Sequence, residues 1–248
     1  MTTRAEIKVP MNLYVGTSGF SYKEWKGKFY PEDLPEKQML RFYSERFQTV
    51  EINNTFYRMP KASVLESWSQ EVPDNFRFVL KAPQRITHQH RLKEAEDSVS
   101  YFLNTAGALQ ERLGPLLFQL PPFLKKDVPR LRQFLALLPP PSRAAFEFRH
   151  QSWFETEVFD LLREYNAVLC IAEAENDLEI PFVSTAPWGY LRLRRTDYGE
   201  AELQAWAQRV RAQDWQEAFI FFKHEDEGMA PALARQFLDL AHGTEAKL

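Results

Sequence analysis

The 248-residue chain has a single cysteine, Cys170. One thiol closes no internal disulfide and supplies no cysteine-rich zinc site, which fits a reducing compartment. Long apolar runs are missing as well: no stretch of about 18 consecutive apolar residues exists to cross a bilayer. The opening Met1-Thr2-Thr3-Arg4-Ala5-Glu6 lacks the apolar core of a secretory signal. A cytoplasmic protein with no membrane partner is therefore expected. Nor does one sign of charge dominate, because 31 basic residues face 34 acidic ones for a net charge of −3. Composition alone gives no pull toward nucleic acid, and such a partner would need a local basic patch. No low-complexity linker divides the chain. With 44% hydrophobic residues, it can bury a substantial core. The simplest organisation is one domain over residues 13–242, between a short extension (1–12) and a tail (243–248).

What the chain does have is a regular switching between period two and period 3.6. Strand patterns occur at 13–16, 49–53, 76–81, 116–120, 144–149, 168–173, 190–194 and 219–223. Helical patterns fall at 36–47, 61–71, 95–112, 128–138, 155–165, 200–213 and 230–240. Only the sixth connection, 174–189, lacks a convincing helix. Pro60, Pro73, Pro115, Pro129 and Pro187 sit near element boundaries, where proline is tolerated. Eight strands, each followed by a crossover, predict an α/β fold of the (β/α)8 TIM-barrel type with a weak or missing sixth helix; a doubly wound open sheet is the competitor.

Strand parity then sorts side chains by face. The helix-facing set is apolar: Val50, Ile52, Phe76, Phe78, Leu80, Leu116, Phe118, Leu120, Phe146, Phe148, Leu191 and Leu193. The opposite parity carries Glu51, Asn53, Arg77, Lys81, Gln119, Glu147, Arg149, Glu173, Arg192 and Arg194. Most of these lie at the C-terminal ends of their strands, the rim at which barrel enzymes build their sites. The last strand, Phe219-Ile220-Phe221-Phe222-Lys223-His224, is aromatic on both faces, so one of Lys223 and His224 should reach the mouth. On this phase Cys170 faces the helices and belongs to the core.

Three carboxylates (Glu51, Glu147, Glu173) against five cations (Lys81, Arg149, Arg192, Arg194, Lys223) give the inward set a surplus of two positive charges, which predicts an anionic ligand. A buried ion network that plugs the barrel is the structural alternative. The loop Gly16-Thr17-Ser18-Gly19-Phe20-Ser21-Tyr22 offers glycines able to aim amides at an anion, and Tyr22 and Trp25 are candidates for stacking or for packing the loop. Phe56-Tyr57-Arg58 can wall the pocket.

These segments carry a resemblance. Gly16 to Tyr22 with Trp25, Gly27 and Phe29-Tyr30-Pro31; Thr49 to Arg58 with Pro60; Thr87-His88; Gln119-Leu120-Pro121-Pro122; and Glu147-Phe148-Arg149-His150 with Ser152-Trp153 together resemble the YecE-like family, domain of unknown function 72. The resemblance spans nearly the whole chain and implies a TIM-type barrel, remotely similar in fold to the endonuclease IV and xylose isomerase group. It carries no catalytic role with it. Where the family tends to have His-Gly this chain has Arg194-Arg195, and where it tends to have Asn-Asn the chain has Lys223-His224; both changes add positive charge.

A metal-dependent phosphoesterase is poorly served by these residues, because Lys and Arg stand where converging His and carboxylates would be needed, and cations repel metals. The expectation is no metal and no cofactor. The catalytic candidates are Glu51 or Glu147 as base and Lys81 as a charge holder. The ligand-binding candidates are Thr17, Ser18, Tyr22, Asn53, Tyr57, His88, Gln119, Arg149, Arg192, Arg194 and Lys223. The partner is an anionic small molecule or nucleic acid: either a hydrolase or phosphoesterase acting on a phosphate- or carboxylate-bearing substrate, or a non-enzymatic nucleotide or nucleic-acid binder.

Overall fold

β-Branched and aromatic residues alternating at period two build a ring of parallel strands in the computed structural model, which describes residues 11–140, 143–173, 178–195, 197–223 and 228–243. The strands are β1 (Asn12–Ser18), β2 (Thr49–Ile52), β3 (Arg77–Lys81), β4 (Leu113–Gln119), β5 (Ala144–Glu147), β6 (Val168–Leu169), β7 (Ile171–Glu173), β8 (Trp188–Leu193) and β9 (Glu217–Phe222). Every pairing is parallel, in the order β6-β5-β4-β3-β2-β1-β9-β8-β7. Because β6 and β7 are successive parts of one extended segment, the nine pieces occupy the eight expected strand positions, and the segment completes a nearly closed TIM-like barrel. The helices α1 (Met39–Ser44), α2 (Ala62–Glu71), α3 (Glu96–Ala106), α4 (Val128–Leu135), α5 (Thr156–Glu164), α6 (Glu200–Arg211) and α7 (Met229–Gly243) fill the connections. Among the described residues of the sixth connection there is no helix, as its sequence predicts.

The closing segment changes neighbour at Cys170. β6 pairs with β5 and β7 with β8, while the Cys170 amide still donates to Phe146 O at 2.8 Å. The Leu169 amide donates instead to Thr185 Oγ1 at 3.0 Å, and that hydroxyl donates to Ala167 O at 2.8 Å. One threonine side chain thus satisfies the backbone where a strand neighbour would.

Two apolar layers result. All twelve residues expected to face the helices are buried in the outer layer. Inside the ring, Val79, Leu117, Ala145, Val168, Cys170, Ala172, Trp188, Tyr190, Phe219 and Phe221 fill the barrel, with Tyr14 stacked on Phe219 at 4.6 Å. The last strand is thereby phased: Phe219 and Phe221 point inward, and Lys223 shares their parity. His224, residues 1–10 of the 1–12 extension and residues 244–248 of the 243–248 tail lie outside the described residues. Gly16 shows why β1 can lie against its neighbours, since a Cβ there would sit 2.1 Å from Thr49 O and 2.9 Å from the Tyr43 hydroxyl.

Two expectations about which way a side chain faces are corrected. Cys170 points into the barrel, not toward the helices, and Glu173 points out of it. Leu169 and Ile171 belong to the outer layer. Glu173, in the same phase, accepts hydrogen bonds from Tyr198 Oη at 2.7 Å and Trp206 Nε1 at 2.9 Å and pairs with Arg195 at 3.3 Å. Burying Leu169 and Ile171 against the helices fixes the phase, and Glu173 is carried outward with them. Arg77 keeps inward parity but sits at the start of β3, where its guanidinium donates to Asp74 O and Phe76 O, far from the rim.

Candidate functional site

Parallel register brings the C-terminal ends of the strands together, so polar residues from six strands, β1 to β5 and β8, meet above the apolar filling. Ser18 pairs across to Glu51 in the β1–β2 register, and Gln119 to Glu147 in the β4–β5 register. Arg192 enters between the two carboxylates from β8. Its Nη2 donates to Glu51 Oε1 at 2.8 Å and its Nη1 to Glu147 Oε2 at 2.6 Å. All three side chains are essentially sealed from solvent, Glu51 and Glu147 at 0% exposure and Arg192 at 2%.

The remaining oxygens are also taken. Glu51 Oε1 accepts from Ser18 Oγ at 2.7 Å and Asn53 Nδ2 at 2.9 Å, and Glu51 Oε2 from Tyr190 Oη at 2.6 Å. Glu147 Oε1 accepts from Gln119 Nε2 at 2.9 Å and Arg194 Nη2 at 3.0 Å. Burial alone would push both carboxyl groups up. Arg192 and these donors outweigh burial and hold Glu51 below the usual carboxylate range; for Glu147, with Arg194 added, the value falls to about 2. Arg192 is likewise held charged, because Glu51 and Glu147 outweigh the cost of its burial. Two anions and a cation in a dry interior persist only with this degree of pairing.

Lys81 stands beside this network in a different state. Its Nζ donates to Gln119 Oε1 at 2.9 Å and lies 4.2 Å from the centre of the Phe56 ring. Among the described residues no carboxylate lies within ion-pairing distance of it. Burial, followed by the field of Arg192, lowers its pKa to about 8. His88 packs its ring edge-on against Phe56 at 4.8 Å and engages Thr87 Oγ1 through Nδ1 at 2.9 Å. Burial and then Lys81 and Arg149 lower its proton affinity too. Arg149 is half-buried and, among the described residues, makes no ion pair or hydrogen bond. Lys223 is exposed. With Glu173 outside the barrel, two carboxylates face four cations at the mouth: Lys81, Arg149, Arg192 and Arg194.

The structure therefore brings together Ser18, Glu51, Asn53, Lys81, His88, Gln119, Glu147, Arg149, Arg192 and Arg194. Thr17 does not join them: its hydroxyl donates to Gly19 O and its amide to the Tyr43 hydroxyl, on the α1 side. Tyr22 donates to Ser18 O at 2.8 Å and packs against the fully buried Trp25. It lines a groove of about 440 Å³ with Phe20, Asn53 and Trp68, between the β1 loop and helices α1 and α2. Tyr57 stands on the rim, 75% exposed. Gly19 adopts a positive φ of 102° and donates its amide to Thr17 O, so that amide is already engaged and does not aim at a ligand. Sequence reasoning missed Tyr190, although its signal was present: it shares parity with Arg192. Of the adjacent pair Arg194-Arg195, Arg194 adds a donor to Glu147, whereas Arg195 turns to Glu173, Asp197 and Glu202. Among the described residues no cluster of His, Cys, Asp and Glu is arranged to hold a metal ion, and no helix is long and apolar enough to cross a membrane.

Comparison with known proteins agrees with this fold. Residues 14–248 match the family model described as "Protein of unknown function DUF72". The UPF0759 protein YecE of Escherichia coli K12 is 34% identical over 143 residues, 57% of this chain and 50% of that protein. The UPF0759 protein YunF of Bacillus subtilis 168 is 29% identical over 160 residues, 60% of this chain and 54% of that one. The chain thus spans about half the length of the curated relatives it matches. A solved DUF72 family protein of Thermotoga maritima superposes with a TM-score of 0.80 at 28% identity, covering 92% of this chain and 98% of the other. Another, from Enterococcus faecalis V583, shares the fold at a TM-score of 0.75 and 20% identity, over 93% of this chain and 98% of that one.

Proposed function

This chain belongs to the DUF72 family, and from that membership and the chemistry of its barrel mouth we propose that it binds an anionic small molecule through Lys81, Arg149, Arg194 and Lys223. The observation that carries the reading is Arg149: a half-buried guanidinium with no counter-charge among the described residues, beside a lysine and a histidine whose proton affinities are already depressed. A carboxylate or phosphate there would relieve mutual repulsion among the cations and supply the acceptors that Arg149 lacks. The rim aromatics Phe56 and Tyr57 give such a ligand an apolar wall.

The same chemistry reassigns the two carboxylates. A general base needs a free lone pair and a pKa near the working pH. Neither Glu51 nor Glu147 has such a pKa, and both are sealed from solvent with donors on each oxygen, so their part is to fix Arg192 and, through Gln119, to orient Lys81. Proton transfer at the mouth falls to Lys81, which titrates near 8, and to the neutral His88. A hydrolase acting on an anionic substrate would have to work through these two groups.

Isothermal titration with inorganic phosphate and with pyruvate tests the binding. Saturable heat is expected for the wild-type protein, with Arg149→Ala weakening binding roughly tenfold through loss of a charge-assisted hydrogen bond. Absence of heat for both anions at low salt overturns the reading. A single-stranded oligonucleotide in the same titration separates the second partner class, because polynucleotide binding falls steeply with added salt while a small anion in the mouth responds weakly.

A further inference from the structure

We infer that Lys81 is the nucleophile of an imine-forming site that accepts small aldehydes or ketones bearing a carboxylate or phosphate. This rests on the anionic reading of the mouth and deepens it.

The argument begins with Gln119. Its amide nitrogen is committed to Glu147 Oε1 at 2.9 Å, so its carbonyl oxygen must face the other way, where it takes a hydrogen from Lys81 Nζ, also at 2.9 Å. One neutral amide therefore stands between the lysine and the nearest carboxylate. Direct contact with Glu147 would lock Lys81 as an ammonium ion. Contact with a glutamine oxygen leaves the amine able to lose a proton and keep its partner, since the neutral amine still has N–H to donate. The other flank of Nζ is the face of Phe56, which restricts the stem without neutralising the charge. The charged groups that face Lys81 come from every side of the mouth: Glu51 from β2, Glu147 from β5, Arg192 from β8 and Arg194 just beyond its end, with His88 and Arg149 on the adjoining loops. Burial and the arginines prevail over the glutamates, so a substantial fraction of free base exists at mildly alkaline pH. The residue is half-buried at the rim.

The reaction balances without a cofactor. The Nζ lone pair forms a bond to the carbonyl carbon as the C=O pair moves onto oxygen. Nitrogen loses a proton and oxygen gains one, giving a carbinolamine. A second proton on that oxygen lets it leave as water while the nitrogen lone pair closes a C=N bond, leaving an iminium ion. The net consumption is one proton, and one water is released. His88 engages Thr87 with Nδ1 and leaves its other ring nitrogen to pass these protons. Arg149 and Arg194 hold the acid group, which selects pyruvate-like compounds over neutral carbonyls.

Reductive trapping tests this. The full-length protein is incubated with pyruvate or with acetone, its neutral counterpart, then reduced with sodium borohydride, which fixes the imine as a secondary amine. Intact mass should rise by the mass of the carbonyl compound less one oxygen atom, and peptide mapping should place the change on Lys81. Labelling by pyruvate should exceed that by acetone by at least ~10-fold and should grow as pH rises through about 8. Lys81→Arg should remove this adduct, and Gln119→Glu should slow it by restoring an ionic partner. If phosphate binds by titration yet neither pyruvate nor glyceraldehyde 3-phosphate labels Lys81, the imine site is overturned and the anion reading stands. If phosphate does not bind and no label appears, both fall. Equal labelling by acetone and pyruvate overturns the anionic substrate class.

Discussion

Arg192 is the residue on which the site's organisation turns. Its fork holds two carboxylates that arrive on strands β2 and β5, and Tyr190, two positions earlier on β8, completes the shell of Glu51. Replacing Arg192 by methionine roughly keeps the volume but strands Glu51 without a cation and leaves Glu147 with Arg194 alone, and unfolding in urea at pH 7 should show a loss of about 3–5 kcal/mol. The pH dependence has a definite sign. In the wild-type protein the carboxylates titrate below their unfolded values, so their contribution is complete above about 4.5 and is lost as pH falls toward about 2. In Arg192→Met the folded value of Glu51, buried without a cation, rises above the unfolded one, so the penalty grows with pH above that range and shrinks on acidification. The variant should therefore lie closer to wild type at pH 5 than at pH 7; an equal gap at both would rule out stranded charge as the cause. Parity made Glu51, Gln119, Glu147 and Arg192 legible, because a polar residue flanked by buried apolar ones has one direction left. Glu173 was misread because its strand has no second inward polar residue to set the phase. The protonation states were not legible at all, since they depend on which donors converge from strands far apart in sequence.

At the scale of elements, β1 illustrates a signal read for the wrong reason. Gly16 and Gly19 suggest an anion-cradling turn, yet Gly16 is required by packing: any side chain there would strike Thr49 O and the Tyr43 hydroxyl. Gly16→Ala should cost on the order of 2–3 kcal/mol by urea titration, and a neutral result would mean that β1 and β2 can separate freely. Strand positions and the missing sixth helix were plain from periodicity, because they depend on local pattern alone. The split between β6 and β7 was not, because it arises from a choice of neighbour in space. The loop aromatics Tyr22 and Trp25 were ambiguous for the same reason, and packing, in the event, draws Trp25 wholly into the core.

For the whole molecule, the decisive feature is how the ring closes. Eight strand positions, an apolar outer layer and a polar rim follow from the order of patterns along the chain, and this is the architecture shared with the DUF72 proteins of solved structure. Closure itself depends on Thr185, whose hydroxyl bridges Leu169 and Ala167. Thr185→Val should lower global stability by about 1 kcal/mol, and the Leu169 amide should exchange with deuterium ~10-fold faster while β1 and β9 amides change little. Unchanged protection at Leu169 would show that the seam is held by something other than that hydroxyl. The filling of the barrel has another consequence. Trp188, Tyr190, Phe219 and Phe221 stopper the interior directly beneath the carboxylates, which makes the barrel a cup and not a pipe. Arrivals and departures share one doorway, so whatever Lys81 captures must back out past Arg149 and Tyr57 before the next molecule can enter.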